Sequence, residues 1–262
     1  MPGTFTLACE GATICGEARG ENPALVLLHG LGGSRATWDR VIHALPANLP
    51  LLRYDLRGFG ASAMNETVEF SHADDLLAVL DEKGIDKATV VGLSLGGAVA
   101  THFAIQHPLR VKQLVLVSPA MVGWEWSEEW RDRWRAMTRA ARDGDMTEAR
   151  RMWWQHPLFD TTRASDAADE LRHSIEAYSG RVWVKDPQRR VLPDVESLHR
   201  ITAPTLLLTG ERDLPDFRLI SDVLEASVPD IRRVDYPAAG HMLPLERPFD
   251  LARELAALLT AS

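Results

Sequence analysis

The sequence predicts an α/β fold: a mostly parallel sheet with helices on both faces and one long helical insertion. Three observations predict it. Short apolar runs recur at 24–28, 51–54, 88–91, 114–117 and 205–208, each bounded by polar or glycine-containing turns. Segments with apolar residues at helical spacing separate the earlier runs, and the stretch from about 120 to 195 breaks the alternation.

Each element has its own signal. Residues 4–18 read as two short strands around Glu10-Gly11-Ala12, a hairpin at the start of a mixed sheet. The five short apolar runs have the composition of strands buried on both faces. Trp38, Val41, Ile42 and Leu45 form a helical stripe. So do Phe70, Ala73, Leu76, Leu77 and Leu80, and then Ala98, Phe103 and Ile105. Strand and helix in alternation imply a parallel sheet covered on both sides, with ligands beyond the carboxyl ends of its strands. A late strand is expected at 231–236.

The stretch 120–196 lacks a buried strand and reads as charged, amphipathic helices. Seven of the eight tryptophans fall in it, which marks it as an insertion lying over the loop end of the sheet. The core is accordingly assigned to 1–119 and 197–262. No repeat or flexible linker divides it further.

Composition narrows the function classes. A chain of 262 residues with 45% apolar and 25% charged residues fits one globular domain rather than a disordered or fibrous one. The net charge is −8 and no block of lysine and arginine tracks a phosphate backbone, so nucleic acid is not an expected partner. No run approaches the ~18 apolar residues of a membrane span, and the first residues lack a basic segment followed by an apolar one. A cytoplasmic monomer or homodimer without membrane contact is expected. Cys9 and Cys15 have neither zinc-site nor Cys-x-x-Cys spacing. They read as free, reduced thiols, even though a hairpin brings them near one another.

Chemistry concentrates in three places. Gly92-Leu93-Ser94-Leu95-Gly96 follows the strand at 88–91 and opens a helix. A serine on such a sharp strand-to-helix turn is forced into a strained backbone that exposes its Oγ, and small neighbours let the facing chain approach. The helix start beside it supplies backbone N–H groups and a positive dipole end for an oxyanion. His29-Gly30-Leu31-Gly32-Gly33-Ser34 follows the first core strand, and its glycines allow N–H groups to point into a cavity. The N–H groups of Leu31 and Leu95 are the candidate oxyanion donors, and His29 is assigned to bracing the loop. The spacing of a P-loop or of a dinucleotide site is missing.

A serine hydroxyl needs a base and a carboxylate to orient that base. His241, in Ala239-Gly240-His241-Met242-Leu243-Pro244, follows the late strand on a loop. His43, His72, His102, His107, His173 and His199 sit in or beside helical patterns, and His156 lies in the insertion. Asp213 follows the strand at 205–208 directly, with Asp216 and Glu211 as alternates; after the earlier strand come only Ser118-Pro119-Ala120. The order Ser94, Asp213, His241 is the one this kind of elbow requires.

With these motifs in order, the chain resembles the α/β-hydrolase superfamily over its whole length apart from the insertion. Residues 54–62, Tyr-Asp-Leu-Arg-Gly-Phe-Gly-Ala-Ser, look like that family's Asp-x-Arg-Gly-x-Gly-x-Ser segment, and Pro244-Leu245-Glu246-Arg247-Pro248 completes its histidine loop. The core segments are most similar to 3-oxoadipate enol-lactonases and small carboxylesterases. The same motifs occur in menaquinone-pathway lyases and in plant hormone receptors that only bind their ligand. Serine at 94 argues against dehalogenase and epoxide hydrolase chemistry, which uses aspartate there. Leucine at 93 argues against the carbon–carbon bond hydrolases, which usually carry asparagine.

The expected function is therefore hydrolysis of an ester of a small apolar or aromatic molecule through an acyl-enzyme on Ser94, with no metal or organic cofactor. Two alternatives stand beside it: an enol-lactone hydrolase, and a non-catalytic binding protein on the same scaffold. The insertion is expected to act as a lid, with Trp124, Trp126, Trp130, Trp134, Trp153 and Trp154 walling the substrate. Trp130 and Trp134, four apart, also suit plain helix packing. Arg131, Arg135, Arg139 and Arg142 form either a carboxylate-binding group or a solvated face.

Overall fold

The computed structural model describes residues 3–21, 23 and 25–260. Its strands are β1 (Gly3–Cys9), β2 (Ala12–Arg19), β3 (Leu25–Leu28), β4 (Leu51–Tyr54), β5 (Ala88–Leu93), β6 (Val111–Val117), β7 (Thr205–Gly210) and β8 (Ile231–Tyr236). They form one sheet in the order β1-β2-β4-β3-β5-β6-β7-β8. The hairpin pair β1–β2 and the β2–β4 pair are antiparallel, and every other pair is parallel. This is the expected mixed sheet, with the hairpin at one edge; Ala24, assigned to the first core strand, lies outside the described residues.

Around the sheet run α1 (Asp39–Ala44), α2 (His72–Glu82) and α3 (Leu95–Gln106), then α4 (Glu128–Arg142), α5 (Met146–Trp154), α6 (Asp160–Arg163), α7 (Ala168–Ala177) and α8 (Arg181–Val184). The chain closes with α9 (Pro215–Ser227), α10 (Leu243–Glu246) and α11 (Pro248–Thr260). Alternation of side chains along the strands splits the core in two. Val26, Leu28, Val90 and Leu114 pack on the side of α2 and α3 with Leu76, Val79 and Phe103. Leu25, Leu27, Val91 and Val115 pack on the other, against Trp38, Val41, Leu251 and Leu255. Strands covered on both faces have no polar side to show, which is why their sequences are largely apolar.

The boundaries differ from the sequence pattern where local capping decides. Trp38 ends a short 3-10 turn before α1 rather than joining the helix. Phe70 precedes α2, because Ser71 caps it by accepting from the Ala73 and Asp74 N–H groups at 3.2 and 3.4 Å. The side-chain oxygen satisfies N–H groups that have no carbonyl within the helix. Across the hairpin Cys9 faces Ala12 and Cys15 faces Thr6, so the two thiols are not opposite one another, and both are free.

Between β6 and β7 the chain adds α4 to α8 and no strand. α4 packs on α5 and α8, and α5 on α7. No helix among the described residues is long and apolar enough to cross a membrane.

Candidate active site

Ser94 stands between the end of β5 and the start of α3 with φ 51° and ψ −113°. A non-glycine residue rarely holds that conformation, and here the surroundings impose it. Its N–H donates to the Val117 carbonyl at 3.0 Å, and its carbonyl accepts from Ala98 and Ala120, each at 3.0 Å. Glycine is required on either side. A β-carbon on Gly92 would lie 2.1 Å from the Gly96 carbonyl oxygen, and one on Gly96 would lie 2.5 Å from that of Leu28. The motif's glycines are thus the contact points of three backbone segments.

His241 and Asp213 come from loops after β8 and β7. Asp213 Oδ2 lies 2.8 Å from His241 Nδ1, and Asp213 Oδ1 accepts from the Leu214 N–H at 2.7 Å. Both side chains are buried. Phe217 packs on the imidazole, with ring centroids 4.3 Å apart. With Nδ1–H held by the carboxylate, the lone pair sits on Nε2, which is buried and has no hydrogen-bond partner among the described residues, Ser94 Oγ included.

The His29 loop is braced from two sides. The Leu56 N–H donates to His29 Nε2 at 3.0 Å, so the ring proton is on Nδ1, which donates to the Gly30 carbonyl at 2.8 Å. Burial lowers the pKa of this imidazole, which keeps it in the neutral form that the arrangement needs. The Asp-x-Arg-Gly segment supplies the frame behind it. Asp55 accepts from the Arg35 and Ala61 N–H groups at 2.7 and 2.9 Å, and Ser62 Oγ donates to the Asp55 carbonyl at 2.6 Å. Arg57 grips the buried Asp75 at 2.6 and 2.9 Å. That segment is scaffold for the loop rather than part of the cavity.

Ser94, His241, Leu31 and Leu95 all line one cavity of about 390 Å³. Leu95 begins α3, so its N–H has no acceptor within the helix. Leu31 N–H makes no hydrogen bond among the described residues. Of the six tryptophans singled out from the sequence, Trp126, Trp130, Trp134 and Trp153 line the cavity. Trp124 and Trp154 do not: Trp154 instead stands beside Arg163 and Arg172. Arg131 and Arg135, both exposed, also border the cavity, whereas Arg139 and Arg142 do not.

Sequence reasoning missed several wall residues, among them Leu158, Phe159, Ile175, Val182 and Phe217. Each reads as an ordinary core residue, so no signal in the chain sets it apart. The alternates for the acid have other positions. Asp216 accepts from the Ser127 N–H and Oγ–H at 3.0 and 2.6 Å, and Glu211 is exposed. His156 is buried against Trp130 and Trp153, and burial, with Arg133 and His241 nearby, lowers its pKa to about 4.

A parallel sheet carrying a serine on a strained strand-to-helix turn defines a class of protein, and comparison with known families agrees. The model of the alpha/beta hydrolase fold matches residues 23–248, and the chain belongs to that family. It is 30% identical over 245 residues, 88% of its length and 93% of the relative's, to a pimeloyl-[acyl-carrier protein] methyl ester esterase of Nitrosomonas europaea. It is 29% identical to a 2-succinyl-6-hydroxy-2,4-cyclohexadiene-1-carboxylate synthase of Klebsiella pneumoniae, over 91% of this chain and 94% of that one. Among solved structures, a thermophilic esterase from Thermogutta terrifontis superposes with a TM-score of 0.83 at 23% identity, covering 100% of this chain and 98% of that one. That last likeness speaks for the fold.

Proposed function

We propose that the protein hydrolyses carboxylic esters of small, largely apolar molecules through an acyl-enzyme on Ser94. One observation carries the reading: an imidazole held by a carboxylate at 2.8 Å, with its other nitrogen unpaired, borders the same apolar cavity as a serine in a strained turn. The esterase name of the Nitrosomonas europaea relative supports it.

Ser94 Oγ attacks the ester carbonyl while its proton passes to His241 Nε2, and Asp213 stabilises the imidazolium that forms. The Leu31 and Leu95 N–H groups take the oxyanion. Collapse breaks the bond to the alkoxide, which receives the proton from His241 and leaves as the alcohol. Water then attacks the acyl-enzyme with His241 again as base, and the acid departs with Ser94 restored. The insertion serves as a lid: Trp126, Trp130, Trp134 and Trp153 hold the acyl group by apolar area, and the cavity's size suits a small ligand. Arg131 and Arg135 border the cavity and face solvent, where they suit a carboxylate-bearing acyl chain.

The lactone hydrolase reading uses the same steps, except that the leaving alkoxide stays attached to the acid. A panel of p-nitrophenyl esters of increasing chain length, aryl esters, methyl esters of dicarboxylic acids and small lactones separates the two. Ester turnover absent in Ser94→Ala is expected, and a steep preference for lactones would favour the alternative. Covalent labelling by a fluorophosphonate, lost in Ser94→Ala, distinguishes an enzyme from a silent binding protein. Labelling without turnover of any ester or lactone would turn attention to the chemistry of the Klebsiella relative.

A further inference from the structure

Two carboxylates outside the Asp213–His241 pair tie the helical insertion to the loops that carry that pair. Glu246, at the end of α10, accepts from the Gly240 N–H at 2.6 Å through Oε2, one peptide before His241. Its Oε1 accepts from the Thr161 and Thr162 hydroxyls of α6 at 2.8 and 2.6 Å. Asp216, in the first turn of α9, accepts from both the N–H and the hydroxyl of Ser127, the residue that caps α4. One carboxylate therefore clamps each loop to one helix start or turn of the insertion.

The clamp at Glu246 is the more consequential. It is a single acceptor shared by the histidine loop and the insertion, so neither side satisfies it alone. Thr162 is fully buried, and a β-carbon on Gly240 would fall 1.9 Å from Thr161 Oγ1. The histidine loop and α6 are thus in backbone-to-side-chain contact with no room between them. If the insertion lifts, two of the three donors leave, and the carboxylate that held the Gly240 peptide is drawn into water. Hydrogen bonds to a charged acceptor are the stronger kind, so the pull is not negligible. By contrast, the ion pairs of Arg40 with Glu170 and Asp166 are partly exposed and contribute little to placing the histidine.

We propose that Glu246 is a positioning residue that makes the seating of the insertion and the placement of His241 one event. The catalytic base is held in place only when the tryptophan-bearing helices are down over the cavity. This rests on the acyl-transfer reading above, because it assigns a positioning role toward His241. It adds that closure and base alignment share a carboxylate.

The test compares wild type, Ser94→Ala, Glu246→Gln, Glu246→Ala and the pair Thr161→Val with Thr162→Val, each checked by thermal melting. Turnover of a p-nitrophenyl ester and the rate of fluorophosphonate labelling are both measured. A displacement of about 1 Å at a base costs on the order of 10²-fold. Glu246→Ala should therefore lose about that factor in kcat and in labelling rate, with KM moving much less. Glu246→Gln cannot accept from Gly240 and the threonines together, and should fall between. The threonine pair removes only the insertion's donors, and yet should slow labelling; combined with Glu246→Ala it should add little. Wild-type labelling in Glu246→Ala, or full additivity with the threonine pair, overturns the proposal. Should Glu246→Ala not fold, the threonine pair decides, and wild-type labelling there also overturns it. An active Ser94→Ala would instead overturn the acyl-enzyme reading, whatever the Glu246 variants do.

Discussion

Gly210 and Gly240 lie so close that a β-carbon on Gly210 would stand 2.2 Å from the Gly240 carbonyl oxygen. The contact joins the loop that carries Asp213 to the loop that carries His241. It is completed by the Arg212 N–H donating to the Ala239 carbonyl at 2.8 Å and the Glu211 N–H to that of Tyr236 at 3.1 Å. Gly210→Ala is therefore expected to push the loops apart. Overpacking of this kind costs about 1–3 kcal/mol, and a melting curve together with the fluorophosphonate labelling rate reads both consequences. A variant that melts and labels like wild type would show that the loops yield without cost.

Asp213→Asn replaces the carboxylate that accepts from His241 Nδ1 with an amide that can present N–H instead. The imidazole then loses its tautomer and the stabilisation of its charged form. Turnover should fall by about 10⁴ with the fold intact, as the proposed acyl-transfer mechanism requires. Steady-state kinetics on an activated ester checks this, and a drop of less than tenfold would remove Asp213 from the relay.

Acid should unfold the protein earlier than its surface charge suggests, because three buried imidazoles, those of His29, His72 and His156, must stay neutral. His72 packs edge-on against Phe70, its Nδ1 has no hydrogen-bond partner among the described residues, and burial lowers its pKa to about 3. An unfolded histidine titrates near 6.5. Below that pH the unfolded chain binds a proton that the folded one refuses, so stability is complete above about 6.5 and is lost as the pH falls toward 3. The full loss is on the order of 5 kcal/mol for His72 alone. His156, at about 4, acts in the same direction over a narrower window. Denaturant melts between pH 7 and 4 should show a shallower slope for His72→Phe; an unchanged slope would place the acid sensitivity elsewhere.

Trp130 stacks on Trp126 with ring centroids 4.5 Å apart and borders two cavities: the one at Ser94 and a neighbour of about 260 Å³ that also has Trp134 and Trp153 in its wall. Trp130→Ala should join them. The preferred acyl chain on a p-nitrophenyl ester series is expected to lengthen, while Phe/Trp-to-Ala truncation costs about 3–5 kcal/mol of stability. An unchanged chain-length optimum would mean that Trp130 packs α4 without shaping the acyl site.

The amino-acid pattern alone determined the sheet, the elbow and the order of the candidate residues. Buried parallel strands are largely apolar, so 51–54 and 205–208 betray themselves, and Gly92 and Gly96 are dictated by backbone contacts that leave no room for a side chain. Those demands leave their mark on the composition and spacing of the chain itself. Only the folded molecule decided which insertion residues face Ser94. Nothing in the sequence ranks Trp124, Trp126, Trp130 and Trp134, and whether each meets the cavity depends on how α4 and the segment before it lie over the sheet, which contacts distant in the chain dictate. The same holds for Glu246: its partners Thr161 and Thr162 lie on a segment that only the fold brings to it, so nothing near it in sequence announces those bonds.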